Sequence, residues 1–125
     1  MLKFADFGTA RKLEEGTSAM PLRAGTSGFA ALEVLELPQV GFASDVYAFG
    51  ATVFWLLFGR PPFCKVTNGV FDIAEVMRGQ RAGLVAAGFP PGLELDLHLR
   101  EFFRVCSRSA CVSTLLDVNR RSVFA

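Results

Sequence analysis

The chain has 125 residues, enough for one domain and too few for two. With 13 Lys and Arg against 12 Asp and Glu the formal net charge is +1, a balance that gives no footprint for nucleic acid and no pull toward an anionic membrane. Hydrophobic residues make up 51% and 13 of them are Phe, more apolar surface than so small a chain buries well.

In chain order, Leu2-Lys3-Phe4-Ala5 reads as a short strand leading into Asp6, and Thr9 to Leu13 as a second one, so residues 1–13 are expected to hold the β element. Residues 14–28, rich in Glu, Gly, Thr, Ser and Pro without a period, read as a long loop. Ala30 to Leu37 is a helix candidate ended by Pro38. Ser44 or Asp45 is the expected N-cap of the next helix. Its apolar run, Val46 to Phe58, is shorter than the roughly 20 residues of a membrane span and reads as a core helix. Gly59 and Pro61-Pro62 stop it. Asp72 to Arg78 forms a third helix with Gly79 as its stop, and the Gly and Pro residues of 79–92 read as loop. Leu95, Leu99, Phe102, Phe103 and Cys106 share one face of an amphipathic helix, with Asp96 and Arg100 four apart, and a last piece runs from Ala110 to Leu116. The expected class is α+β, mostly helical.

Three cysteines, Cys64, Cys106 and Cys111, form no Cys-x-x-Cys pair and read as buried reduced thiols of a cytoplasmic protein. The N-terminus carries no basic region followed by an apolar run, so no secretory signal is expected. His98, the single His, reads as a helix-surface residue.

Three stretches carry the chemistry. Ala5-Asp6-Phe7-Gly8 sets a carboxylate before a Gly that lets the backbone turn, an arrangement suited to a hard cation. Gly25-Thr26-Ser27-Gly28-Phe29-Ala30-Ala31-Leu32-Glu33 follows, with 28 residues from Asp6 to Glu33 inclusive. Then come Ser44-Asp45-Val46-Tyr47-Ala48-Phe49-Gly50 and Leu57-Phe58-Gly59-Arg60-Pro61-Pro62-Phe63. In this order and at these separations they resemble the large lobe of a eukaryotic-type serine/threonine protein kinase domain from its magnesium loop onward, strongly over residues 2–63 and loosely beyond.

The resemblance implies that Asp6 holds Mg2+ against the phosphates of ATP, that Phe7 packs beneath it and that Gly8 completes the loop. It makes residues 14–33 an activation segment, in which Thr26 orients the catalytic base and contacts the substrate region, and Phe29 fills the aromatic position. It pairs Glu33 with an Arg near the C-terminus, here Arg120 or Arg121, an ion pair whose one-sided loss costs roughly 3–5 kcal/mol when buried. Asp45 would cap the central helix over 44–58 and bond the catalytic loop, while Thr52 and Leu56 would support the apolar stack beneath the nucleotide. Residues 64–125 would supply the C-terminal helices. Leu32 departs from the family, which has Pro there, and Thr52 from its usual aliphatic residue. Thr17, Ser18, Thr26 and Ser27 are hydroxyls that phosphorylation would charge.

A working kinase also needs a glycine-rich loop, a paired Lys and a catalytic-loop Asp, and none is found in these residues. The sequence therefore implies a partial kinase domain, inactive alone, whose partners are a protein substrate or the missing kinase half. Poor burial of its apolar surface also implies non-specific self-association. The alternative is a non-catalytic kinase-like protein-interaction module.

Overall fold

The pillar of the fold is a 17-residue helix, α2, Phe42–Phe58. The computed structural model describes residues 1–22, 24–64, 66–67, 70–82 and 96–107. Strand β1, Ala19–Pro21, and helix α1, Leu32–Glu36, precede β2, Gln39–Gly41, which runs directly into α2. Strands β3, Val66–Thr67, and β4, Val70–Phe71, lead into α3, Ile73–Ala82. Helix α4 spans residues 97–107. Both sheets are two-stranded and antiparallel, with Met20 opposite Val40 in the first and Val66 opposite Phe71 in the second. The mostly helical α+β class expected from the sequence holds.

The β element lies elsewhere than expected. Residues 1–13 contain no strand; their one regular piece is a 3-10 turn at Phe7–Thr9, and Leu2 is 89% exposed. A strand is completed by its partner, and among the described residues nothing pairs with 2–5 or 9–13. The loop expected over 14–28 instead contributes β1, which pairs with the lead-in to α2. Gly41 permits that pairing. A side chain there would collide with the Ser18 carbonyl and sit 3.3 Å from the Ala19 α-carbon, although the Gly41 backbone itself is extended and open to any residue.

Helix α2 starts two residues before the expected Ser44, and Gly41 is its N-cap. The hydroxyl of Ser44 accepts from the Gly41 N–H and donates to the Gly41 carbonyl, both at 2.7 Å, so Ser44 closes the first turn from inside the helix. Asp45 is exposed in the first turn and is not the cap; its charge still complements the helix N-terminus. At the other end Gly59 takes φ 71 and donates to the Trp55 carbonyl, the stop that the sequence implied.

Two clusters form the core. Phe54, at 0% exposure, packs with Phe63 and Phe103, bordered by Val53, Phe58 and Phe102. Phe54 meets Phe103 edge-on with centroids 5.4 Å apart. Ala31, Tyr47 and Ala51 form the second cluster, joined by Phe29 and Val34. Gly50 lets α4 approach α2, since a Cβ there would lie 2.6 Å from that of Cys106.

Helix α3 continues through Gly79 to Ala82, so Gly79 is not its stop. Its N-terminus is capped by Asp72, whose carboxylate accepts from the Glu75 N–H at 3.2 Å. The rest of the loop expected over 79–92 and the helix expected over 110–116 lie outside the described residues. No helix of the described residues is long and apolar enough to cross a membrane.

Candidate functional site

Asp6 takes the left-handed conformation, φ 59 and ψ 65, one of two described non-glycine residues with positive φ. Asp tolerates this region better than most residues, because its short polar side chain bonds locally. The bend brings its carboxylate over Gly8, where a Cβ would lie 3.5 Å from Oδ1. Arg11 folds back and donates to the carbonyls of Ala10 at 2.8 Å and Gly8 at 3.3 Å, closing the turn behind the aspartate. Asp6 is exposed. Phe7, expected to pack beneath it, is 69% exposed, because the described residues offer this loop no apolar cover. Among the described residues no cluster of three His, Cys, Asp or Glu side chains could hold a metal, so Asp6 offers a single carboxylate.

The second stretch is seated firmly. The Thr26 carbonyl accepts from the N–H groups of Phe29 at 2.8 Å and Ala30 at 3.0 Å, forming a tight turn that leaves the Thr26 side chain exposed. Gly25, at φ 119, admits the chain into the turn. Gly28 lies against Pro61 and Cys64: a Cβ there would be 3.1 Å from the Pro61 ring and 3.2 Å from the Cys64 sulfur. Phe29 meets Trp55 edge to face, centroids 6.3 Å apart. The Ala30 carbonyl accepts from the Gln80 side chain at 2.9 Å. The turn therefore rests on α2, α3 and the loop between them.

Glu33 is buried on α1, and its Oε2 has no hydrogen-bond partner among the described residues. Tyr47, 4% exposed, is likewise left with an unpaired hydroxyl. Burial pushes the Glu33 carboxyl above its ordinary value, a backbone hydrogen bond opposing only in part. Burial also pushes the Tyr47 phenol up, helped by charge repulsion from Cys64 and Glu33. Arg120 and Arg121, the expected partners of Glu33, lie outside the described residues. Burial raises the Cys64 and Cys106 thiols too, which keeps them protonated and inert. Thr52 donates its hydroxyl to the Ala48 carbonyl at 2.8 Å, which satisfies a polar group at a position where the resemblance expects an aliphatic one. Leu56 is 61% exposed.

The structure thus gathers Thr26, Phe29 and Glu33 on one support, and leaves Asp6, Phe7 and Asp45 exposed. Sequence reasoning gave Gly28 only as part of its motif, without its packing role, and missed Gly41, Trp55 and Gln80. The glycines carry a signal only in the sense that each stands where another chain segment must pass closely; Gln80 carries none.

A profile described as the protein kinase domain matches residues 1–108. The chain belongs to the protein kinase domain family. Among its relatives is the serine/threonine-protein kinase PKH2 of Candida albicans, 35% identical over 98 residues, covering 71% of this chain and 10% of the relative. A lectin-domain containing receptor kinase VI.4 of Arabidopsis thaliana is 36% identical over 93 residues, covering 73% of this chain and 13% of the relative. The serine/threonine-protein kinase atg1 of Penicillium rubens is 34% identical over 80 residues, covering 64% and 8%. The chain therefore spans about a tenth of the length of the curated kinases it matches. The kinase match takes in the Asp6 loop, the seated turn and helix α2 together.

Proposed function

We propose that these residues are the magnesium-loop, activation-segment and central-helix portion of a serine/threonine protein kinase that phosphorylates protein hydroxyls in the cytoplasm. The observation that carries this reading is the seating of the Thr26–Ala30 turn on α2 and α3 through Trp55 and Gln80. It gives the segment expected to meet substrate a defined shape on a rigid support.

Asp6 suits magnesium by donor chemistry, since one hard carboxylate with phosphate oxygens and water is an ordinary ligand set for that ion. When bound, Mg2+ would neutralise charge on the phosphates of ATP. The chain itself contributes the exposed Asp6 carboxylate and the exposed Thr26 side chain. Arg120 or Arg121 would supply the partner that Glu33 lacks among the described residues. Phosphoryl transfer depends on positioning and electrostatics from many groups at once, so the 125 residues alone should show no turnover.

The test is a polypeptide carrying these residues behind a glycine-rich loop, paired Lys and catalytic-loop Asp, assayed for phosphate transfer from ATP to Ser or Thr of a protein. Transfer should appear there, fall to background in Asp6→Ala, and be absent from the 125-residue chain. A folded, nucleotide-binding polypeptide of this kind without transfer would refute the reading. A second reading, a non-catalytic kinase-like module that binds another protein, is favoured by the exposed apolar side chains of Phe42, Leu56 and Leu57. Saturable binding to a protein without any nucleotide binding would establish it instead.

A further inference from the structure

We propose that Gln80 is a positioning residue for the substrate-docking turn, holding Thr26 in place from helix α3 through the Ala30 peptide. The proposal deepens the kinase reading and rests on it.

Ala30 is buried, and α1 begins only at Leu32. The first carbonyl that accepts within that helix is the one of Ala31, from Val34 and Leu35. The Ala30 carbonyl is thus a partly buried acceptor outside the helix ladder, and such a group is best satisfied by a donor within the fold. Gln80 supplies it from 50 positions away, with Nε2 at 2.9 Å. The Ala30 N–H in turn donates to the Thr26 carbonyl at 3.0 Å. Two hydrogen bonds in series therefore link α3 to Thr26.

The donor stands on a fixed element. Gly79, the preceding residue, lies flat against Phe63, which belongs to the Phe54 and Phe103 core. That close contact docks α3 on the core, and the Gln80 carboxamide reaches the turn from there. Arg81 pairs with Glu36 at the end of α1, but Arg81 is well exposed, and exposed ion pairs contribute little. Gln80 is the half-buried member of the two tethers, and the one that touches the segment itself.

The experiment is site-resolved hydrogen exchange on the 125-residue chain, comparing the Phe29 and Ala30 amides with the Phe54 amide of α2. Gln80→Glu keeps the shape but removes the donor, and Gln80→Ala removes the group. Gln80→Lys keeps a donor. Exchange at Phe29 and Ala30 should rise about tenfold in the Glu and Ala variants, as expected for one lost net hydrogen bond, with Phe54 unchanged. The Lys variant should return both amides toward the parent rates. Unchanged turn amides, an equal rise at Phe54, or no recovery with Lys would each overturn the proposal. Exchange reads the turn whether or not phosphate is ever transferred, so failure of the kinase assay leaves this result standing.

Discussion

Phe63 and Gly79 touch so closely that a methyl group at position 79 would lie 2.5 Å from the Phe63 ring and 2.7 Å from its Cβ. Phe63 itself sits at φ 61, a left-handed pose uncommon for an aromatic residue, and is 6% exposed. The pair docks α3 onto the core below α2.

Gly79→Ala sets two effects against each other. Within a helix, Ala is favoured over Gly by about 1 kcal/mol. Overpacking against a buried ring that cannot retreat costs about 1–3 kcal/mol. The ring is packed in the core and its backbone already takes a left-handed pose, so the clash should win. A net loss of about 1 kcal/mol is expected from the urea midpoint of the variant against the parent. A gain would show that α3 slides freely on Phe63.

The start of α2 gives a second contrast. Ser44→Ala removes two 2.7 Å hydrogen bonds to the Gly41 peptide, one from each direction, at a buried site. The loss should be about 1–2 kcal/mol, as for other caps. Asp45→Asn removes only an exposed charge beside the helix N-terminus, worth about 0.3–1 kcal/mol and screened by salt. Denaturation in low and high salt should rank Ser44 above Asp45, with salt dependence confined to Asp45. The reverse ranking would restore Asp45 as the cap.

Helix α2 was legible because Val46 to Phe58 is an uncharged, largely apolar run followed at once by Gly59. Helix α4 was legible from the spacing of Leu99, Phe102, Phe103 and Cys106. Both signals are local. The β element was not, since Leu2 to Ala5 looks like a strand yet finds no ladder partner, whereas Ala19-Met20-Pro21 looks like loop and becomes one by pairing with Gln39–Gly41. Gly79 was misread for a related reason: a glycine that ends a helix and one that admits a neighbouring ring are identical in sequence. At the candidate site, the motif spacing singled out Thr26, Phe29 and Glu33. It could not show Gln80, because a hydrogen bond across 50 positions leaves no trace in either local pattern.

Glu33 provides a pH test. Its surroundings raise the carboxyl above 4.5, chiefly through burial. A carboxyl whose folded-state pKa is raised favours folding below the unfolded-state value, and that contribution is lost as pH climbs through the folded-state value. A guanidinium beside Glu33 acts in the opposite direction. In the doubly substituted chain Arg120→Ala, Arg121→Ala, stability should therefore fall as pH rises from 4.5 toward neutrality, more steeply than in the parent. Adding Glu33→Gln should remove the extra slope. Urea midpoints across that range supply the measurement, and identical slopes in the parent and the doubly substituted chain would rule out either arginine as the partner.

The outer face of α2 bears on how the chain behaves in solution. Leu56 and Leu57 are more than half exposed, and Phe42 is 71% exposed at the start of the same helix. Each is a large apolar side chain in water, whose burial in a partner or a second copy would be worth about 1.5–3 kcal/mol. Leu56→Gln with Leu57→Gln gives up little native packing, since neither residue belongs to the two core clusters. The substitutions should leave the urea midpoint within about 0.5 kcal/mol of the parent, the ordinary range for surface changes. They should also lower the self-association seen by sedimentation velocity at rising concentration. Loss of stability with unchanged association would mean that copies of the chain do not meet through this face.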